Sequence, residues 1–455
     1  MESSPPEYEE STNPMFSFRL LPSKHTAGPR LGRLVCRNVQ IDTPAFIAPT
    51  SRGVVPHLSH DNLRDHTDIG GVYVALEDFL EKGIPHSPAF KYPGPLRTFT
   101  SHPSNSLFFL ASRRCPPVDA PATNTDHSIT ILTSVGFREL TANDYISSIS
   151  HLRPDAVIGM VDIPAQRAGK NRVPKMAYRT ELWLNALLKE ATKNGIPTFA
   201  PILPVSKELQ QLYFQTLEEK VGELGGLAFY DSQLVLEMPE TLKELARVAM
   251  DAPKNPHKLL EDVARGVDIF TLGFPAEATD AGIAFAFEFP GKAGEGKKQL
   301  GWDMWNSPDM ATDTGPLVEG CNCYSCRRHH RAYVCHLLAA KEMTAWVLLQ
   351  IHNMHVMDRF FAAARESIAN GTFEEDCKKF AEVYEDELPT KTGEGPRLRG
   401  YQFKSTGGPK KNTKAYGKLP GGKLAGDKLE KFNEAETPPD MDAVEMEKSG
   451  FAERL

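Results

Sequence analysis

No apolar run in the 455-residue chain is long and clean enough to span a bilayer. The longest candidate, AYVCHLLAAKEMTAWVLLQIH at 332–352, is broken by Lys341 and Glu342 and carries histidines, so it reads as a buried helix pair. The acidic opening MESSPPEYEESTNP lacks both an apolar core and arginines, which excludes a secretory signal and a mitochondrial presequence. Positive charge is not in excess either. The net charge of −7 carries no global signature of nucleic-acid binding, so any basic surface is local. Cysteine is scarce at seven residues, three of them in one hexapeptide, whereas a disulfide framework would space its pairs along the chain. The expectation is a soluble protein of a reducing compartment, the cytoplasm.

What is present is a recurrence of short apolar runs rich in β-branched residues: PAFIAPT, GVYVAL, SITILTS, AVIGMVDI, TFAPIL, GGLAFY and VDIFTL. Helical patterns lie between several of them, clearest at 178–193, 206–222 and 239–250. Near-continuous apolar strands alternating with amphipathic helices predict a parallel sheet covered on both faces. Seven or more such strands over some 250 residues favour a closed (β/α)8 barrel of the TIM type over a doubly wound sheet. The proline- and serine-rich stretch 85–125 is expected to be a long loop on that barrel. From 327 to 368 the pattern is strongly helical, with Val334, Leu337, Leu338, Trp346, Leu349, Met357 and Phe360 among its apolar positions. Residues 391–431 then hold eleven Lys or Arg against three acids, with nine glycines and the aromatics Tyr401, Phe403 and Tyr416, and the end of the chain turns acidic. Neither stretch can bury enough apolar surface to offset its ordering entropy, so both are expected to be disordered.

The hexapeptide CNCYSC places Cys321, Cys323 and Cys326 where three thiolates can converge on one cation. Zinc suits soft sulfur ligands, and a tetrahedral site needs one further donor. The bland alternative is three ordinary reduced thiols. Spacing leaves the fourth ligand open among His329, His330, His336, His352 and His355. In one straight helix His352 would lie about 39 Å beyond Cys326 at ~1.5 Å per residue, so its use demands a chain reversal near 340–344. Spacing therefore favours a local histidine. The expected organisation is a disordered start at 1–15, a barrel at 16–315, a zinc-binding helical subdomain at 316–370 and a low-complexity, largely disordered extension at 371–455.

The cysteine run, followed by HHRAYVCHLLAAKEMTAWVLLQIHNMH, resembles the zinc segment of the tRNA-guanine transglycosylase (queuine tRNA-ribosyltransferase) family. LGRLVCRNVQIDTPAFIAPTSRG resembles that family's opening strands, PDAVIGMVDIPA and GGLAF two inner strands, and GVDIF the strand leading to the nucleophile; the likeness covers roughly residues 16 to 365. It implies a (β/α)8 barrel with an inserted zinc subdomain, one structural Zn2+ per subunit, and exchange of guanine for queuine or a related deazaguanine in tRNA. It also overturns the local preference: the family's fourth ligand is the histidine of a Leu-x-x-x-His-Asn run, here LLQIHNMH, which gives His352.

The same resemblance exposes four departures. Base exchange at a ribose C1′ suits a pair of carboxylates. The family's nucleophilic aspartate follows the GVD-x-F strand, where this chain has Thr271, and Asp268 points to the opposite face by strand alternation. The second aspartate belongs to a DSGGFQ run, whose nearest match here, TSVGFR at 133–138, has no acid. The Pro-Thr-Arg that meets the anticodon loop becomes Phe274-Pro275-Ala276-Glu277, and the base-sensing run reads AFYDSQ. Asp162 does occupy a base-contacting position of the family, with a capping acid as the plain alternative. The implied role is a non-catalytic subunit in a heterodimer with a catalytic paralogue, serving tRNAs with GUN anticodons. The alternative is an active transglycosylase using Glu277 or Asp280 from a rearranged loop. The resemblance leaves room for peripheral attachment to the mitochondrial outer membrane, and for RNA contacts by the tail 391–431, against the plain reading of a solvated extension.

Overall fold

The structure is a computed structural model that describes residues 16–23, 28–120, 124–164, 169, 172–292, 294 and 296–396. The expected disordered start at 1–15 and the tail from 397, with Tyr401, Phe403 and Tyr416, lie outside these residues. Eight parallel strands close a barrel: Ala45–Pro49 (β1), Gly71–Ala75 (β2), Leu107–Ala111 (β3), Ala156–Ile158 (β4), Thr198–Ile202 (β5), Leu224–Phe229 (β6), Ala246–Ala249 (β7) and Ile269–Thr271 (β8). Each pairs with its neighbours in sequence, and β8 closes on β1 through Ile269–Ala45, Phe270–Phe46 and Thr271–Ile47.

Strand alternation sorts the side chains into two shells. Ala45, Ile47, Tyr73, Phe109, Ile158, Phe199, Ala228, Val248 and Ile269 fill the interior, while Phe46, Val72, Val74, Phe108, Val157, Leu227 and Phe270 face the helices. Both faces are buried, which is why the strands read as continuous apolar runs. An antiparallel sheet of Ser17–Leu21, Leu31–Cys36 and Val39–Thr43 closes the N-terminal end, with Leu34, Cys36, Val39 and Ile41 joining the interior cluster. Buried acids are clamped there: Arg30 pairs with Asp268, which also accepts from the Arg247 N–H at 2.8 Å, and Arg37 reaches Asp155 at 2.7 Å.

Three strand readings need correction. SITILTS lies outside the barrel, in an antiparallel hairpin of Ser128–Thr133 with Gly136–Thr141. Residues 85–125, expected as loop, contain β3. The supposed helix at 239–250 is a turn of 3-10 helix at Glu240–Leu242 followed by β7. Leu242, Leu245, Ala246 and Ala249 happen to recur at helical spacing, and a four-residue strand buried on both faces has no alternation to contradict it.

Between β8 and the last helix of the barrel, Met343–Asn370, the chain builds the cysteine-bearing subdomain. A two-stranded sheet of Ile283–Phe285 and Gly301–Asp303 packs with helices Tyr324–Arg328 and Arg331–Ala339 around Trp346, Leu349, Val334 and Leu338. The expected boundary at 316 is therefore too late, and Met343–Asn370 serves both parts: its first turns complete the subdomain and its later ones pack on the barrel. Phe361 stacks on Phe46 at 5.5 Å, and Arg365 donates to the Pro44 carbonyl at 2.8 Å. The extension expected from 371 begins instead with a helix, Phe373–Val383, whose Phe373 and Phe380 are fully buried against Phe287, Phe289 and Phe360.

Asp358, on the barrel half of Met343–Asn370, accepts a hydrogen bond from the Asp68 N–H at 3.1 Å. Burial pushes its carboxyl up to about 8. The folded state then holds a proton that the unfolded chain has lost, so this group's contribution to stability falls as pH rises from about 4 to 8. Asp358→Asn keeps the acceptor and removes the charge. It is expected to raise the melting temperature at pH 8.5 by about 2 °C and to leave it unchanged at pH 4. Thermal denaturation at both pH values checks this; equal shifts at the two would contradict it.

Candidate metal centre and the barrel mouth

Cys321, Cys323, Cys326 and His352 bring one ligand atom each to within 4.8 Å of one another. Two local devices hold the sulfurs. Cys323 caps helix Tyr324–Arg328, its Sγ accepting the Cys326 N–H at 3.3 Å, and the Ser325 hydroxyl donates to the Leu348 carbonyl at 2.6 Å, pinning this turn to the long helix. The reversal that His352 demands occurs at 340–342, where Lys341 adopts a left-handed φ of 56°. His352 is fully buried, and its Nδ1 lies 3.7, 3.6 and 3.4 Å from the sulfurs of Cys321, Cys323 and Cys326. A tetrahedral zinc with bonds of about 2.3 Å to sulfur and 2.05 Å to nitrogen requires an S···N separation of roughly 3.6 Å. The donor set and its spacing fit one metal ion.

The opposite nitrogen, Nε2, lies 2.8 Å from the Phe285 carbonyl and donates to it, which leaves Nδ1 the lone pair that a metal needs. Asn353, beside it, clamps the same strand: it accepts from the Phe285 N–H at 2.8 Å and donates to Thr279 Oγ1 and the Ile283 carbonyl, each at 2.9 Å. Sequence reading missed Asn353, although the His-Asn pairing in LLQIHNMH was its signal. Burial disfavours the His352 imidazolium, yet hydrogen bonds to the Cys321 and Cys326 sulfurs outweigh it and lift its pKa to about 10. Without metal, the cluster keeps a proton where a cation belongs, and metal binding releases it. The local histidines have other work. His330 caps helix Arg331–Ala339 by accepting the Tyr333 N–H at 3.1 Å, and His329 stacks on Tyr333.

Catalytic groups of a barrel of this kind stand at the C-terminal ends of its strands. Thr271 is there, at the end of β8, facing inward and fully buried, with its hydroxyl 3.9 Å from the Met250 sulfur. Asp268 sits at the opposite end of the strand, in the Arg30 clamp. Run 133–138 is a hairpin turn with Val135 exposed, so it cannot serve the mouth; β3 leads instead into Ser112-Arg113-Arg114, also without an acid.

The buried acids that ring the mouth are engaged. Asp162, after β4, receives both Arg172 nitrogens at 2.6 Å, Asn124 at 2.7 Å and Arg179 at 3.2 Å, and is fully buried beneath them. Glu77 and Asp78, after β2, are raised by burial; Glu77 accepts the Arg114 and Leu132 N–H groups, and Asp78 takes the Arg114 guanidinium at 2.7 Å. Asp251, after β7, accepts from the Ser232 N–H and hydroxyl at 2.9 and 3.0 Å. Of the alternative nucleophiles, Asp280 pairs with His57 at 2.5 Å and Glu277 is exposed on helix Phe274–Asp280. A cavity of about 120 Å³ remains between the ends of β1, β2 and β8, lined by Thr50, Ser51, Tyr73, Arg114, Cys115 and Met354 among others, with no carboxylate in its wall.

The family profile described as queuine tRNA-ribosyltransferase matches residues 25–386. A Schizosaccharomyces pombe protein named queuine tRNA-ribosyltransferase accessory subunit 2 is 38% identical over 389 residues, 84% of this chain and 87% of its own. Proteins of the same name from Xenopus tropicalis and Anopheles gambiae are each 28% identical, over 78% and 74% of this chain and 97% and 83% of theirs. The chain belongs to the queuine tRNA-ribosyltransferase family.

Proposed function

We propose that this protein is the non-catalytic accessory subunit of a heterodimeric queuine tRNA-ribosyltransferase, supporting exchange of guanine for queuine at the wobble position of tRNAs with GUN anticodons. The observation that carries the reading is the state of the barrel mouth. A nucleophile must offer an unengaged, deprotonated oxygen to the ribose carbon. Thr271 stands where the family's nucleophile belongs, a hydroxyl with a thioether as its neighbour, and every buried acid around it is tied up in hydrogen bonds. The names of the similar accessory subunits agree with this.

In this reading zinc occupies the Cys321–Cys323–Cys326–His352 site. Four protein ligands leave no open position for water or substrate, so the metal fastens the subdomain and performs no chemistry. The pair works in the cytoplasm, with one active site on the catalytic partner and this subunit extending the surface on which the tRNA rests, mainly through phosphate contacts. No helix among the described residues is long and apolar enough to cross a membrane, so attachment of this part to the mitochondrial outer membrane would be peripheral.

Pairing is the first test. Mixed with the catalytic paralogue, the chain is expected to sediment as a one-to-one complex built on a pseudo-two-fold axis. Two separate species at micromolar concentration would remove the accessory role.

A further inference from the structure

The four metal ligands are not equally protected. Cys323 is 4% exposed, Cys326 9% and His352 0%, whereas Cys321 is only partly buried. Position in the chain explains the difference. Cys323 and Cys326 belong to the cap and first turn of helix Tyr324–Arg328 and pack into the subdomain core with Trp346 and Leu349. Cys321 stands before that helix, on a turn where Glu319, Gly320 and Asn322 are all exposed. Gly320 has a left-handed φ of 76°, and no atom lies within 4 Å of where its Cβ would stand, so the turn borders open space. A cleft of about 280 Å³ reaches the same thiol. Cys321 and Asn322 line it from the turn, His355 and Arg359 from the long helix, and Phe287 and Phe289 from the segment after strand Ile283–Phe285. Of the four ligands, Cys321 alone contributes to its wall.

We infer that Cys321 is a peroxide-reactive cysteine, oxidised by a small hydroperoxide that reaches it through this cleft, and that its oxidation discharges the metal. The inference rests on the metal reading of the cluster and adds a modification site to it. A ligand cysteine is held as the thiolate, which is the nucleophilic form, so access decides which sulfur reacts first. The Cys321 sulfur attacks one oxygen of the peroxide: an S–O bond forms, the O–O bond breaks, and hydroxide leaves to take a proton from solvent. The Cys326 thiolate then attacks the oxidised sulfur. An S–S bond forms, the S–O bond breaks, and a second hydroxide departs. Two thiolates have lost two electrons and the peroxide has gained them. Cys326 suits the second step because its sulfur lies within 4.8 Å of Cys321, five residues along the chain. Cys323 is only two residues away, and its sulfur is held by the Cys326 N–H as the helix cap. The disulfide withdraws two of the four ligands, and the chain no longer holds the metal. Thiol reductants reverse the bond, as the chemistry of a reducing compartment requires.

The test uses the metal-loaded full-length chain, with its metal content measured by elemental analysis before treatment. Hydrogen peroxide is added at about 0.1–1 mM, metal release is followed with a chromogenic chelator, and peptide mapping with differential thiol labelling identifies the oxidised cysteines. Release of about one metal ion per peroxide consumed is expected, with Cys321 modified first and a Cys321–Cys326 disulfide as the product. Dithiothreitol with added zinc should restore the metal. A Cys335→Ser, Cys377→Ser chain, which lacks the other partly buried thiols, should release metal at the parent rate. His355→Trp, which narrows the cleft without touching a ligand, should slow release about 5-fold at unchanged metal content. Oxidation that begins at Cys323 or Cys326, or metal retained through about an hour at the higher dose, would overturn the proposal. Loss that dithiothreitol and zinc do not restore would overturn the disulfide, and release from His355→Trp at the parent rate would overturn access through the cleft. The order of oxidation in the parent decides independently if His355→Trp fails to load metal. Absence of metal before treatment would instead strike the metal reading, and the order of labelling among the three cysteines would still report on Cys321.

Discussion

Serine at both Cys323 and Cys326 is expected to strip the protein of its metal and to lower its melting temperature by about 6 °C or more. A metal held by four protein ligands contributes its binding free energy to folding, about 10–16 kcal/mol for isolated zinc modules. Only part of that is lost here, because Trp346, Leu349, Val334 and Leu338 still pack, but a loss of even about 5 kcal/mol corresponds to roughly 6 °C in a chain of this size. The effect should reach beyond the subdomain. His352 and Asn353 tie the strand Ile283–Phe285 to the helix whose later turns cover β1 and β8, so loosening the cluster loosens that cover. Cys335→Ser and Cys377→Ser, outside the cluster, serve as controls and should keep full metal content. Elemental analysis with thermal denaturation checks the prediction; a double variant that retains metal, or melts within about 2 °C of the parent, would show that the site is not what holds this region.

The second large effect concerns Thr271. Thr271→Asp restores the residue type that the resemblance associates with the nucleophile, yet it is expected to produce no exchange and to destabilise the fold by about 2–4 kcal/mol. Buried carboxylates stay charged only where several donors meet them. Asp162 has such a set in Arg172, Arg179 and Asn124, whereas position 271 faces the Met250 thioether. The new carboxyl would be held protonated by burial, with its pKa above the unfolded value of about 3.9. Stability is then retained at low pH and lost as pH rises from that value through the folded pKa, so the variant should lag the parent more at about pH 8 than at about pH 5. Melting temperatures at both pH values, with guanine exchange as the activity readout, test this. Measurable exchange by the variant would mean that a second acid is present after all.

The barrel is legible in the sequence because a parallel sheet buried on both faces writes its strands as continuous apolar runs. Legibility fails where that signature is weakest. Two of the four residues of β7 are alanines, set at helical spacing with Leu242 and Leu245, and LFFLA of β3 is embedded among prolines and serines. The hairpin strand Ser128–Thr133 reads as a barrel strand because all its residues but Thr130 are buried, so it too is written as a continuous apolar run. The run compared with the family's second aspartate therefore lies in that hairpin, outside the barrel. The metal ligands show the opposite case. Spacing argues for a nearby histidine; His352 is identified only by resemblance, because a tight turn at 340–342 brings back a residue that a straight helix would carry away. The ring of engaged acids is not legible at all. Asp162 reads the same in sequence whether its oxygens are free or held by Arg172, and only the fold brings that arginine to it.

The central claim, a barrel kept for partnership without its own catalysis, is tested most directly by labelled guanine exchange into a tRNA with a GUN anticodon. The purified chain alone should incorporate no label at any enzyme concentration, and addition of the catalytic paralogue should bring exchange on at a one-to-one ratio. Robust, concentration-dependent exchange by this chain alone would contradict the account.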